Sequence, residues 1–302
     1  MKAVVCFTVA GMALALANSA PCLAQTAAAS TITGAERYTL TAAKSTNTYL
    51  IDILRVDSTL VKLPENYKLP VIYVVDGNSL FPLVSYIASV SVSFSARIPA
   101  ALVVSIGYVS DPALTPAQNI ANSLSWRNRD LAPALSPGRQ APPGMANAGG
   151  AADFLAFINQ DLKPFVASHY PVDPQDQTLA GHSLGGLFTV YTLLNSPGSF
   201  QRYVASRPSA FWDDHAPIKQ AATLRGRVGA APARLFISAG GLETKERMGE
   251  DMIGDAKALA SMLETQKDTG LHVSFRVFPD EDHLSVIPAA LARGLREVGA
   301  LR

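Results

Sequence analysis

Residues 177 to 194 combine three local signals, and together these leave few folds open. Gln177-Thr178-Leu179-Ala180 reads as a strand, Leu187–Leu194 as a helix, and between them lies Gly181-His182-Ser183-Leu184-Gly185-Gly186. A strand that becomes a helix over so short a turn crowds its own backbone, so small residues are needed two positions before and two after the serine. The serine then stands at the tip of the turn, above a helix N-terminus whose free N–H groups and dipole favour negative charge. This is a setting for a nucleophile, with the N–H of Leu184 placed to donate to an oxyanion. The alternative is a Gly-rich turn that only lets the helix pack on the strand. His182, inside the turn, reads as a packing residue.

A serine hydroxyl is a poor nucleophile at neutral pH; it needs a base, and the base needs an orienting group. The rest of the chain shows where these can come from. Eight strand-like segments are expected: Glu36–Thr41, Tyr49–Val56, Val71–Val75, Ala101–Ile106, Gln177–Ala180, Tyr203–Ala205, Arg234–Ser238 and His272–Phe278. The first two are close enough to pair as a hairpin, and the later ones alternate with amphipathic helices such as Phe154–Val166 and Ile253–Leu263. The pattern predicts a mostly parallel eight-stranded sheet covered by helices on both faces. Ser183 follows the fifth strand and His283 the eighth, the order of an α/β-hydrolase, in which the C-terminal ends of the parallel strands share one side.

Of the five histidines, His169, His182, His215 and His272 have no placed role, whereas His283 lies in the loop Pro279–Ser285. The orienting acid should follow the seventh strand, where Glu243 is the first carboxylate available. Glu246, Asp251 and Asp255 read as charges of the following helix, and Asp280 and Asp282 are rivals from the histidine loop. A second oxyanion donor is expected from the turn after the third strand, at Gly77 or Asn78. The stretch Ser110–Gly150 is rich in Pro, Asn, Ser and Gly, lacks clear periodicity, and reads as a long loop walling the site.

Lys2, the apolar run Ala3–Ala17 and the small residues before Ala24 read as a secretory signal peptide covering residues 1–24. Residues 25–35 read as a linker and 36–302 as one domain. Cys22 would suit a lipid anchor, but Pro21 stands where a small, flexible residue is expected. Both cysteines, Cys6 and Cys22, fall in the segment to be removed, so a periplasmic or secreted mature chain without disulfides is predicted. A net charge of +1 with 16% charged residues provides no basic field for nucleic acid. No cluster has metal-ligand spacing and no loop resembles a phosphate cradle, so no metal or cofactor is expected, and the partner is a small-molecule ester.

Five segments go beyond a generic hydrolase: Tyr73-Val74-Val75-Asp76-Gly77-Asn78, Arg127-Asn128-Arg129-Asp130-Leu131-Ala132-Pro133, Gly149–Leu155, Gly181–Phe188 and Pro279–His283. In these the chain resembles the esterase-D-like "putative esterase" family over most of its length, nearest the branch of enterobactin- or bacillibactin-type ferric-siderophore trilactone esterases. The resemblance implies a metal-free serine esterase working through a Ser-His-acid or Ser-His mechanism. It also implies that Arg127 faces the substrate, where a guanidinium suits catecholate or carboxylate oxygens. The chain departs from the family's Ser-Pro-Ser pattern at Ser206-Arg207-Pro208-Ser209, which puts an extra charge near the mouth of the site.

Siderophore anions call for Arg127, Arg129 and Arg139 to converge, whereas feruloyl or acyl-carbohydrate esters call for aromatic platforms such as Trp126 and Trp212. An acyltransferase would use the same catalytic residues. A non-catalytic binding protein of the same fold is the reading from another class, and the intact serine, histidine and elbow glycines argue against it.

Overall fold

The computed structural model describes residues 28–29, 32–94, 98–224, 232–266 and 270–301. Residues 1–24, with the expected export signal and both cysteines, lie outside the described residues. In chain order the elements are β1 (Ala28–Ala29), β2 (Ala35–Thr41), β3 (Thr48–Asp57), β4 (Leu69–Val74), α1 (Gly77–Ser93), β5 (Ala100–Tyr108), α2 (Pro116–Leu131) and α3 (Ala151–Phe157). A π-helical turn, Ile158–Leu162, joins α3 to α4 (Lys163–His169). Then come β6 (Val172–His182), α5 (Leu184–Asn195), β7 (Arg202–Ser206), α6 (Trp212–Ala221), β8 (Ala233–Gly240), α7 (Lys245–Met248), α8 (Met252–Glu264), β9 (Leu271–Phe278) and α9 (Val286–Glu297).

The strands form one sheet in the order β1-β2-β3-β5-β4-β6-β7-β8-β9. All eight expected strands are present. A ninth, the two-residue β1, pairs antiparallel with β2 inside the segment read as a linker. Pairing is antiparallel from β1 through β3 to β5 and parallel from β5 onward. The parallel strands therefore deliver their following loops to a common edge.

Alternation along β5 shows how the sheet is covered. Leu102, Val104 and Ile106 join a core with Phe154, Phe188 and Leu259 on one face. Ala101 and Val103 join a second core with Val84, Leu291 and Leu295 on the other. Successive side chains of a strand point to opposite faces, so a strand between two helical layers must be apolar throughout, and every residue of β5 is buried. Helices α1 and α9 cover one face; α3, α4, α5 and α8 cover the other.

The reading of Ser110–Gly150 as a loop without periodicity needs correction, because residues 116–131 form helix α2. Its apolar residues Ile120 and Leu124 are 61% and 54% exposed, and the helix meets the core near its C-terminal end, through Trp126 and Leu131, too short a contact for a full apolar stripe. The available signal lay at its start. Thr115 caps the helix through its side chain, Gln118 closes the capping box, and Pro116 stands at the first helical position.

Candidate active site

The elbow is built at the C-terminal end of β6, between β4 and β7. Ser183 sits at φ 59° and ψ −116°, a sparsely populated conformation for a residue with a Cβ. The turn is held by the N–H of Ser183, which donates to the carbonyl of Ser206 in the β7 neighbour at 3.0 Å, and by the first bonds of α5. A Cβ on Gly181 would stand 2.4 Å from the carbonyl oxygen of Gly185, so this position accepts glycine alone. A Cβ on Gly185 would meet Val75 and Asp76 at 2.9 and 3.1 Å. That close approach sets the N-terminus of α5 beside the loop that opens α1 at Gly77. The N–H groups of Leu184 and Gly77 each lie in the first turn of a helix, where the helix supplies no acceptor. The side chain of Asn78 is used structurally: its amide donates to the carbonyl of Tyr108 at 2.8 Å, and its oxygen accepts from the N–H of Tyr108 at 2.6 Å. What Asn78 can offer an oxyanion is therefore its backbone.

Two loops carry the base and the acid, and they touch backbone to backbone. The N–H of Gly241 donates to the carbonyl of Phe278 at 2.7 Å and that of Leu242 to Glu281 at 3.0 Å. A Cβ on Gly241 would fall 2.3 Å from the carbonyl oxygen of Pro279. This contact sets Glu243 against His283, with Oε1 3.0 Å from Nδ1. A carboxylate only accepts, so Nδ1 carries the proton and Nε2 keeps a free lone pair. The other carboxylates weighed from sequence are engaged elsewhere or exposed. Asp251 caps α8 through the N–H of Gly254, Asp255 pairs with His215 at 3.0 Å, and Asp282 accepts from the N–H groups of Leu284 and Ser285. Glu246 and Asp280 are exposed.

Glu243 is fully buried, and Arg207 holds it there: the guanidinium Nε donates to the same Oε1 at 2.6 Å, while the N–H of Gly240 donates to Oε2 at 2.9 Å. Burial pushes the Glu243 carboxyl up. The hydrogen bond from His283, the charge of Arg207 and the Gly240 N–H together outweigh it and hold the group below its usual range. Arg207 was expected as a charge near the mouth; instead it is 5% exposed. Its backbone sits at φ 45° with its N–H donating to Ser238, and the side chain turns inward. This partnership was the functional feature missed from sequence. Glu243 and Arg207 belong to loops after neighbouring strands, and no local pattern links them.

His182 is buried beneath His283, with ring centroids 4.8 Å apart. Its Nδ1 is 2.9 Å from Oγ of Ser206, and its buried Nε2 has no partner among the described residues. Burial and the neighbouring His283 push the imidazole down to about 3. His182 therefore stays neutral at working pH.

Beside the elbow opens a cleft of about 600 Å3, walled by α1 and α2, with Asp76, Arg127 and His182 among its lining. The three substrate-binding residues expected from sequence do not converge there. Arg127 lines the cleft but is held by Asp76, with Nε and Nη2 donating at 2.7 and 3.0 Å, and Nη2 also reaching the carbonyl of His182 at 3.3 Å. Arg129 lies outside the lining, bidentate to Asp130 at 2.7 and 2.9 Å. Trp212 is 3% exposed and donates its indole N–H to the carbonyl of Pro133 at 3.2 Å, so it packs rather than presenting a platform. Arg139 faces Asp213 at 3.5 Å. Each of these cations answers its own carboxylate, and for the largely buried Arg127 leaving the charge without one would be costly.

Arg127 thus ties the loop after β4 to the elbow, which changes the outcome expected of its removal. Arg127→Ala should lower kcat/KM for a neutral p-nitrophenyl ester by about 10- to 100-fold, the scale of lost hydrogen bonds between charged groups. A free substrate-binding arginine would leave that neutral ester untouched. Steady-state kinetics on the purified variant decides between them.

A profile of the family described as "Putative esterase" matches residues 58–261. Ferri-bacillibactin esterase BesA of Bacillus subtilis is 32% identical over 281 residues, covering 90% of this chain and 91% of the relative. The siderophore triacetylfusarinine C esterase of Aspergillus fumigatus is 31% identical over 250 residues, covering 75% and 80%. Among solved structures, the BES protein from Bacillus cereus superposes with a TM-score of 0.72 at 27% identity, covering 91% of this chain and 98% of the other.

Proposed function

Because the chain belongs to the Putative esterase family of carboxylic ester hydrolases, we propose that Ser183 is the nucleophile of a serine esterase that opens ester bonds in a siderophore scaffold. The observation that carries the mechanism is the buried Glu243 aligned on Nδ1 of His283 beside a strained elbow. Oγ of Ser183 bonds to the ester carbonyl carbon as its proton passes to Nε2 of His283. The negative charge that develops on the carbonyl oxygen is met by the N–H groups of Leu184 and of Gly77 or Asn78. The imidazolium, stabilised by Glu243, then gives its proton to the departing alkoxide as the C–O bond breaks. Water repeats the sequence on the acyl-enzyme and frees the acid.

Siderophore scaffolds as substrates are supported by the two relatives above 30% identity, both named for siderophore ester cleavage. We also propose that the protein acts after export, in the periplasm or outside the cell, on the strength of the apolar run Ala3–Ala17 and the small residues before Ala24. One experiment tests both. Expressed with its natural N-terminus in a Gram-negative host, the protein should appear in the osmotic-shock fluid starting at Gln25. There a fluorophosphonate should label it on Ser183, and it should release linear fragments from cyclic siderophore esters. An uncleaved cytoplasmic product would remove the export reading, and an unlabelled Ser183 the catalytic one.

A further inference from the structure

We propose that the cleft beside Ser183 is built for an ester without net charge and discriminates against polyanionic esters. The proposal rests on the esterase reading above and adds the chemical class of substrate. Two lining side chains carry charge at neutral pH, Asp76 and Arg127, and each cancels the other through a bidentate pair. His182, held neutral by burial, adds none. The remaining wall is apolar at Leu80, Ile120, Leu124 and Ile287, with serines and asparagines between. Ile120 and Leu124 are more than half exposed, so α2 presents apolar surface where a ligand would lie.

The mouth adds a sign to this neutrality. Ile287 of the lining donates its N–H to the carbonyl of Leu284 at 3.2 Å, at the end of the loop after β9, which carries Asp280, Glu281 and Asp282 in succession. The charge of Arg247 acts on Asp282 but leaves the loop net negative. A polyanion approaching Ser183 meets this field with no unpaired guanidinium in the lining to replace its lost hydration. Iron-siderophore esters differ in this respect. Three monoanionic hydroxamates neutralise Fe(III), whereas three dianionic catecholates leave the complex a trianion. The cleft fits the first kind, in which apolar contact and neutral hydrogen bonds suffice, and penalises the second.

The test uses the full mature protein and matched pairs: the p-nitrophenyl esters of hexanoic acid and of adipic acid, the latter with a free terminal carboxylate, and a ferric trihydroxamate triester beside a ferric triscatecholate trilactone. The neutral member of each pair should be hydrolysed with a kcat/KM about tenfold or more higher at low salt, and the gap should narrow at high salt as the field is screened. Ile120→Lys, on an exposed position of the wall, should narrow the ratio by adding an unpaired cation. Equal or faster turnover of the anionic members, or a ratio that Ile120→Lys leaves unmoved, overturns the proposal. Failure of the esterase reading is distinct: Ser183 would take no fluorophosphonate label and neither member of any pair would turn over, which overturns the proposal along with its premise.

Discussion

Replacing Ser183 by Ala is expected to lower kcat by about four to six orders of magnitude while leaving KM within a few-fold. The substitution removes the atom that bonds to the acyl group and keeps everything that shapes the cleft. Alanine retains the Cβ, so the backbone cost of φ 59° is unchanged, and the bond from the N–H of residue 183 to the carbonyl of Ser206 does not involve the side chain. Thermal unfolding should therefore match that of the native protein, which separates a lost nucleophile from a lost fold. Residual turnover above the uncatalysed rate is expected from the oxyanion donors alone. A variant that kept a tenth of native kcat would mean that Ser183 is not the nucleophile.

The second large effect is expected at Arg207, where stability and catalysis meet. In Arg207→Met a side chain of similar length remains, but Glu243 loses the cation that shares Oε1 with His283. Removing one partner of a buried pair leaves an uncompensated charge and costs about 3–5 kcal/mol. The pH dependence has a definite sign. In the native fold the Glu243 carboxyl is held below its usual range, so it contributes stability that is present above the unfolded pKa and lost as pH falls through the folded one. Without Arg207, burial is opposed only by His283 and the Gly240 N–H, and the carboxyl moves upward. The stability gap between native protein and variant is therefore widest near neutrality and closes in acid as the carboxyl is protonated.

Adding Glu243→Gln to Arg207→Met removes the buried charge altogether and should restore most of the stability. It should not restore activity, because a neutral amide does not stabilise the imidazolium of His283; kcat should stay about three to four orders of magnitude below native. Chemical denaturation of the single and double variants across pH, with kinetics on the same samples, reads both quantities. Native stability of Arg207→Met at neutral pH would show that the pair does not hold Glu243.

Taken by itself, the sequence determined the order of the eight main strands, the elbow at Ser183 and the loops from which a base and an acid could come. These are legible because their physics is local. A strand between two helical layers must be apolar along its length, a sharp strand-to-helix turn must place glycine where a Cβ would strike the backbone, and a parallel sheet sends its loops to one edge. Only the tertiary structure decided what each charge does. Arg127, Arg129 and Arg207 look alike as exposed cations in the sequence, yet they answer Asp76, Asp130 and Glu243, and the first and last of these pairs join separate elements. The middle of helix α2 is hidden for a related reason: Ile120 and Leu124 line the cleft, and the core is reached by Trp126 and Leu131 near the helix's end. The energy of an ionised or solvent-facing side chain depends on dielectric and partners that arrive from distant positions, and no local periodicity encodes them.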